Sequence, residues 1–254
     1  MTTAEREAAT AAVLVIGNEI LSGRTQDVNL AFLGRELAAM GIPLGEARVV
    51  ADVESDIVAA VRHLSERYTY VFTTGGIGPT HDDITSAAMA AAFAVKLEIR
   101  EDAVARLRRF YGADELTAPR LKMATVPAGS TLIDNPVSSA PGFCIGNVFV
   151  LAGVPPIMQA MFETLRSQLA GGPPILSRTV TAPVGESRIA ESLTAIQQRH
   201  ADVAIGSYPF LGQNGVAVNI VARGTDAQRL EAVALEIAEA FQALGISEDE
   251  IIMA

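Results

Sequence analysis

Val71-Phe72-Thr73-Thr74-Gly75-Gly76-Ile77-Gly78-Pro79-Thr80-His81-Asp82-Asp83-Ile84-Thr85 carries the chain from an apolar β-type stretch into three glycines and a proline. Two adjacent aspartates follow, ahead of an alanine-rich helical stretch. Glycines at a strand end let backbone N–H groups approach a ligand. A helix N-terminus adds partial positive charge and unpaired donors. The combination suits an anion, phosphate above all. Asp82 and Asp83 in the same turn repel one. A divalent cation bridging carboxylates and phosphates removes that conflict, as does an aspartate that acts on the substrate. A plain tight turn with an aspartate cap explains one of the two acids and leaves the other. The run matches neither the Walker A loop nor the dinucleotide fingerprint.

On either side of this run, strands and helices alternate. Val13 to Ile16 reads as a short buried strand closed by Gly17. Leu30, Leu33, Leu37 and Met40 recur at helical spacing, and Gly41 stops that helix. Val49-Val50 belongs to a second strand, Ile57, Val61 and Leu64 mark a second helix, and Tyr70 to Thr74 form a third strand. The next helix is expected from about Asp83 to Phe93. This order predicts an α/β fold: a three-layer, mostly parallel sheet with helices on both faces. Ligands of such sheets bind beyond the carboxyl ends of the strands, where the Gly17 and Gly75 turns both lie.

Ala103 to Tyr111 reads as a helix bearing Arg106, Arg108 and Arg109, and residues 124–141 as loop and short strands. Val148 to Leu151 is a further strand, and Pro155-Pro156 opens a helix ending near Leu169. Gly171-Gly172-Pro173-Pro174 is the linker, dividing a first domain over 12–172 from a second over 175–247. In the second, Thr179 to Thr181 is a strand and Ile189, Leu193 and Ile196 mark a helix. Val203 to Tyr208 and Val216 to Val221 pair as a hairpin through Gly212-Gln213-Asn214-Gly215. Thr225 and Gln228 form a capping-box pattern for a last helix with Leu230, Val233, Ile237, Phe241 and Leu244 as its buried stripe. That β-α-β-β-α order predicts a small α+β domain.

Of the 254 residues, 50% are apolar and 19% charged, a globular composition. The net charge of −10 argues against nucleic acid and against an anionic membrane surface. Cys144 is the only cysteine, which excludes an internal disulfide and fits a cytoplasmic setting. The first twelve residues lack a signal-peptide core, and the apolar stretch 143–162 is broken by glycines and prolines. His63, His81 and His200 lack zinc-ligand spacing, with His63 and His200 expected at the surface.

Three further stretches can share the glycine-rich edge. Gly17-Asn18-Glu19-Ile20-Leu21-Ser22-Gly23 continues to Asn29, in which Glu19 is a candidate metal or ring-nitrogen ligand and Ser22 and Asn29 candidates for phosphate or sugar. Asp52 closes the second strand. The loop 135–143, with Ser139, Pro141 and Gly142, and the turn at Gly153-Val154-Pro155 offer small side chains and close backbone approach. Each of these taken singly is also accounted for as a loop or cap.

Together the strand–Gly17–Asn29 element, Asp52, the Gly75–Thr85 run, Pro119-Arg120, the 135–143 loop and Gly153-Val154-Pro155 resemble the MoaB/Mog molybdopterin-binding family, and more closely the amino-terminal part of the competence/damage-inducible CinA family. Residues 175–247, with Gly206-Ser207-Tyr208-Pro209, are similar to the KH-like second domain of that family. The amidohydrolase domain that follows in full-length CinA has no counterpart in this sequence, so that activity is not expected. The resemblance implies a pterin or nucleotide ligand, Mg²⁺ or another divalent cation, and either nucleotide pyrophosphatase chemistry on ADP-ribose or FAD-like compounds or adenylyl transfer. It implies Asp52 and Asp83 as catalytic residues, with Glu19 and Asp82 joining them around a metal. Gly17, Glu19, Ser22, Asn29, Gly75, Gly76, Gly78, Thr80, Thr85, Ser139, Pro141 and Gly142 are then the ligand contacts. It also implies a homo-oligomer, dimer or trimer. Ser138 stands where the family often has glycine, Ala152 where it has proline, and Ile157 where it has glutamate. These departures favour the alternative, a non-catalytic binding or scaffold protein.

Overall fold

The computed structural model describes residues 9–112, 115–212 and 215–254 and divides into two compact units, 1–172 and 173–254. The first unit runs β1 (Ala11–Ile16), α1 (Asn18–Leu21), α2 (Asn29–Ala39), β2 (Leu44–Val50), α3 (Glu54–Arg67), β3 (Tyr70–Thr74), α4 (Thr85–Ala92), β4 (Leu97–Ile99), α5 (Glu101–Tyr111), α6 (Ala118–Lys122), β5 (Thr125–Pro127), β6 (Thr131–Ile133), β7 (Gly142–Ile145), β8 (Val148–Leu151) and α7 (Pro155–Leu165). Six strands form its main sheet in the order β2-β1-β3-β8-β7-β6. The β2, β1, β3 and β8 strands are parallel, whereas β7 and β6 join antiparallel, so the sheet is mixed. The antiparallel part follows from the chain: only Gly146 and Asn147 separate β7 from β8, and two residues allow a hairpin but no crossover. β4 and β5 form a separate two-stranded ribbon.

β1 is buried along its whole length, and its alternate residues feed two cores. Ala11, Val13 and Val15 pack with Leu33 and Leu37 of α2 and Met158, Met161 and Phe162 of α7. Ala12, Leu14 and Ile16 pack with Ile57, Val61 and Leu64 of α3 and Ala88 and Met89 of α4. A strand buried on both faces reads as an unbroken apolar run, which is why Val13 to Ile16 was legible. Phe72 anchors the first layer, stacked on Phe149 at 5.3 Å and edge-on to Phe162 at 5.8 Å. α2 ends where Gly41 takes φ 69, as its position predicts. α4 begins at Thr85 rather than Asp83, because the Asp83 carboxylate turns back to accept from Thr80 N at 2.8 Å and holds the chain in a loop.

The second unit runs β9 (Leu176–Ala182), α8 (Glu186–Arg199), β10 (Ala204–Gly212), β11 (Gly215–Gly224), α9 (Ala227–Ala243) and β12 (Ile252–Met253). Its antiparallel sheet has the order β10-β11-β9-β12. The expected strand–helix–hairpin–helix order is present, and Gly212 faces Gly215 in the hairpin register. The turn residues Gln213 and Asn214 lie outside the described residues. β12 escaped the sequence reading because two residues carry no periodicity; its pairing with β9 is a tertiary event. The cap of α9 also differs from expectation. Asp226 is the N-cap, and its side chain accepts from Gln228 N and Arg229 N, where Thr225 was expected. His200 is buried rather than at the surface, 5% exposed, with Nε2 2.8 Å from Glu236 Oε1.

Candidate active site at the carboxyl edge of the parallel strands

The carboxyl ends of β1, β2, β3 and β8 are tied into one platform. Gly17 N donates to Val50 O and Gly75 N to Leu151 O. Asn18 N donates to Asp52 Oδ2 at 2.9 Å, which fixes the Asp52 carboxylate between two strand ends. Thr85 Oγ1 donates to Gly75 O at 2.9 Å, and Asn29 Nδ2 donates to Gly153 O at 2.8 Å. Two glycines are required here by geometry. Gly75 has φ 106, and a Cβ on it would lie 2.1 Å from the Ile16 carbonyl oxygen. Gly76 has φ 68, and a Cβ there would lie 2.2 Å from Thr85 Oγ1.

Above this platform opens a cleft of about 690 Å³, a volume typical of small-molecule sites. Gly17, Glu19, Asp52, Gly75, Gly76, Gly78, Thr80, Asp82 and Asp83 all line it, so three separated stretches of sequence converge on one space. Glu19 folds back over Gly17 and Asp83 over Gly78; a Cβ on either glycine would meet the carboxylate at 2.5 and 2.7 Å, respectively. Thr80 Oγ1 sits 2.6 Å from Asp82 Oδ1 and 2.5 Å from Asp83 Oδ2. One hydroxyl proton serves only one of these contacts at a time, so two acids crowd a single donor. The Thr80 hydroxyl, and the positive charges of His81 and Lys122 beyond it, hold the Asp82 carboxyl below the usual aspartate range. The lining also includes apolar Ala152, Val154, Pro155 and Ile157.

Other expected contacts lie away from the cleft lining. Thr85 and Asn29 are buried and hold the glycine turns. Gly142 is sealed in the β6–β7 pairing, and Ser22 is exposed with its hydroxyl donating to Glu19 O. Pro141 is absent from the lining, and Ser139 lines a neighbouring cleft instead. Asn29 Oδ1 and Thr74 Oγ1 are buried without hydrogen-bond partners among the described residues, beside a void of about 60 Å³ that shares Glu19 and Gly153 with the cleft. That volume admits one or two bridging waters.

Tyr111, Arg120 and Asn135 complete the cleft and were not among the expected site residues. Arg120 lies over the Tyr111 ring at 4.1 Å and pairs with Glu115 at 2.9 Å, placing a lining arginine among the acids Glu19, Asp52, Asp82 and Asp83. Its signal was the Pro119-Arg120 pair; Tyr111 had none, because a helix-end tyrosine reads as packing. Asn135 is a loop organiser. Its Oδ1 accepts from Val137 N and Ser138 N, and its Nδ2 donates to Ser138 Oγ and Ala140 O. Among the described residues, no three His, Cys, Asp or Glu side chains gather as a ready-made metal cage. Nor is any helix among them long and apolar enough to cross a membrane.

Comparison with known proteins agrees with this geometry. A family profile for a probable molybdopterin binding domain matches residues 12–171, and one for the FAD synthase middle domain matches residues 174–250. Protein Ta0487 of Thermoplasma acidophilum is 35% identical over 210 residues, 78% of this chain and 80% of the relative. A protein of Caenorhabditis elegans named as a probable FAD synthase is 33% identical over 91% of this chain, which spans 49% of that relative. The crystal structure of CinA from Thermoplasma acidophilum, a protein described as of unknown function, superposes with a TM-score of 0.60 at 39% identity, covering 63% of this chain and 98% of that one. The fold, the strand-edge cleft and these similarities agree with the MoaB/Mog and CinA resemblance: the chain belongs to the probable molybdopterin-binding domain family.

Proposed function

We propose that the cleft binds a pterin or nucleotide carrying a phosphoanhydride and, with a divalent cation, cleaves that bond or transfers its adenylyl group. The observation behind this reading is the pairing, in one concavity, of a glycine platform with carboxylates that have no arginine partner among the described residues. The name of the first profile points to a pterin, and those of the second profile and the nematode relative to a flavin nucleotide.

The donor set suits a hard cation. It is all oxygen, and Mg²⁺ is commonly held by one or two carboxylates with substrate phosphates supplying the rest, so a three-acid cage is not required. Asp83 and Asp52 would hold it, with Asp82 and Glu19 in support. When bound, the cation neutralises phosphate charge and polarises the phosphorus–oxygen bond. The glycine backbone and Thr80 orient the phosphates. In hydrolysis, a water oxygen bonds to phosphorus, the bridging phosphorus–oxygen bond breaks, and Asp83 accepts the proton of the water. The apolar lining at Ile157 and Ala152 excludes solvent from the flat ring system of the ligand.

A second reading, a protein that holds such a ligand without cutting it, is favoured by Ile157 standing in that apolar lining. Calorimetry with molybdopterin, ADP-ribose and FAD, with and without Mg²⁺, paired with product mass, separates the two. Product from any of them establishes the enzyme; tight binding with intact ligand establishes the holder; no binding refutes both. The second unit shares its β-α-β-β-α order with KH-like domains, and we extend the proposal to that likeness. The whole chain carries a net charge of −10, and no nucleic-acid or membrane role is proposed for it. An RNA mobility shift tests that point, and light scattering tests a homo-oligomer in a cytoplasmic setting.

A further inference from the structure

A second cleft of about 550 Å³ opens beside the first, lined by Arg106, Arg109, Phe110, Asp134, Asn135 and Ser139. Its chemistry is opposite in sign. Two guanidinium groups and an aromatic ring occupy it, in a protein whose net charge is −10. Arg106 is paired with Asp134, so its charge is neutralised. No carboxylate among the described residues pairs with Arg109. Phe110 is 50% exposed, on a helix that buries Ala103, Val104 and Leu107 on its other side.

The two clefts are neighbours. Asn135 lines both. The Phe110 ring meets Tyr111 edge-on at 4.9 Å, and Tyr111 lines the first cleft beneath Arg120. Ser139 holds φ 59, uncommon for a residue with a side chain, and its N–H donates to Asn135 O at 3.0 Å. The loop between the clefts is thereby held in one shape.

Resting on the phosphoanhydride reading of the first cleft, we infer that the second cleft is a subsite for the far, nucleoside-bearing end of the same ligand. A half-exposed phenylalanine supplies a stacking face for a base. Arg109, which has no carboxylate partner among the described residues, supplies a charge-assisted donor to an anionic oxygen of the ligand. The favoured substrate is then an elongated nucleoside diphosphate reaching across Asn135, rather than a compact phosphate compound held by the first cleft alone. Arg109 and Phe110 would set that preference without touching the bond that breaks.

Calorimetry of the full chain in Mg²⁺ tests this with two probes: ADP-ribose, which is long enough to enter both clefts, and inorganic pyrophosphate, which fits the first alone. Arg109→Ala and Phe110→Ala are each expected to weaken ADP-ribose at least about tenfold and to leave pyrophosphate within about twofold. Arg109→Lys and Phe110→Trp are expected to restore part of the loss. Both side chains reach solvent, so folding is expected to survive, and circular dichroism checks it. Equal loss of both probes, or no loss of ADP-ribose, overturns the subsite while leaving the first-cleft reading standing. If the unmodified chain binds neither probe, both readings fall.

Discussion

Carboxylates are held in two ways in this molecule. In the second unit, Glu231 pairs with Arg178, Asp202 with Arg229, and Glu236 with both Arg199 and His200. In the cleft of the first unit, Asp52 is held by a backbone N–H, Asp83 by the N–H and hydroxyl of Thr80, and Asp82 by that same hydroxyl. The exposed His81 ring nitrogen Nδ1 lies 4.0 Å from Asp82 Oδ1. Arginine pairing neutralises an acid and finishes its chemistry. Holding by N–H and hydroxyl groups fixes the position of an acid and leaves most of its charge available. The second arrangement is what a site that recruits a cation or moves a proton requires.

The largest expected effect breaks the platform itself. Gly75→Ala puts a Cβ against the Ile16 carbonyl at a positive φ and is expected to cost about 3 kcal/mol, read as a lowered urea midpoint. A midpoint unchanged by this substitution would show that the Gly75 turn relaxes freely. Next, Asp83→Asn keeps the shape and removes the charge. On any substrate that the protein turns over, the rate is expected to fall about a hundredfold with the melting temperature within a few degrees. Unchanged turnover would mean that the unpaired acids do no chemistry.

In the second unit the same logic predicts the reverse, a loss of stability. Glu236→Ala leaves the buried His200 ring with no partner for Nε2, and Nδ1 already lacks one. The expected cost is about 1–2 kcal/mol by urea unfolding. A cost near zero would sink the contrast between the two units. The smallest effect concerns acid titration. Asp82 titrates below the ordinary aspartate range because Thr80 donates to its ionised form. A depressed folded-state value contributes stability above the unfolded value, lost as pH falls through the folded one, here below about pH 4. Carbonyl NMR should show the Asp82 midpoint rising toward the ordinary value in Thr80→Val.

Elements with strong local patterning were legible before the fold was seen. β1 is an apolar run because both its faces are covered, and α2 and α9 show their buried stripes at helical spacing. The antiparallel end of the sheet was not legible as such, since β6 and β7 are too short to show a period; once they are known as strands, the two-residue link from β7 to β8 dictates their direction. Among the expected site residues, those in the glycine turns and at the end of β2 line one cleft, because such positions collect at the carboxyl edge of parallel sheets. Thr85 and Asn29 were read as ligand contacts, yet their side chains are spent on the Gly75 and Gly153 carbonyls. A polar side chain near a turn does not announce whether it serves the backbone or a ligand.

The sequence by itself determined the alternation of strands and helices, the edge on which the turns collect, and the presence of acids among glycines there. Those properties are set by local periodicity and by backbone conformations that only certain residues adopt. Tertiary structure alone decided that Tyr111 and Arg120 line the cleft that Glu19, Asp52 and Asp83 share, and that an arginine-bearing cleft adjoins it across Asn135. Their spacing along the chain carries no distance information; it becomes a distance only when parallel pairing brings the strand ends side by side.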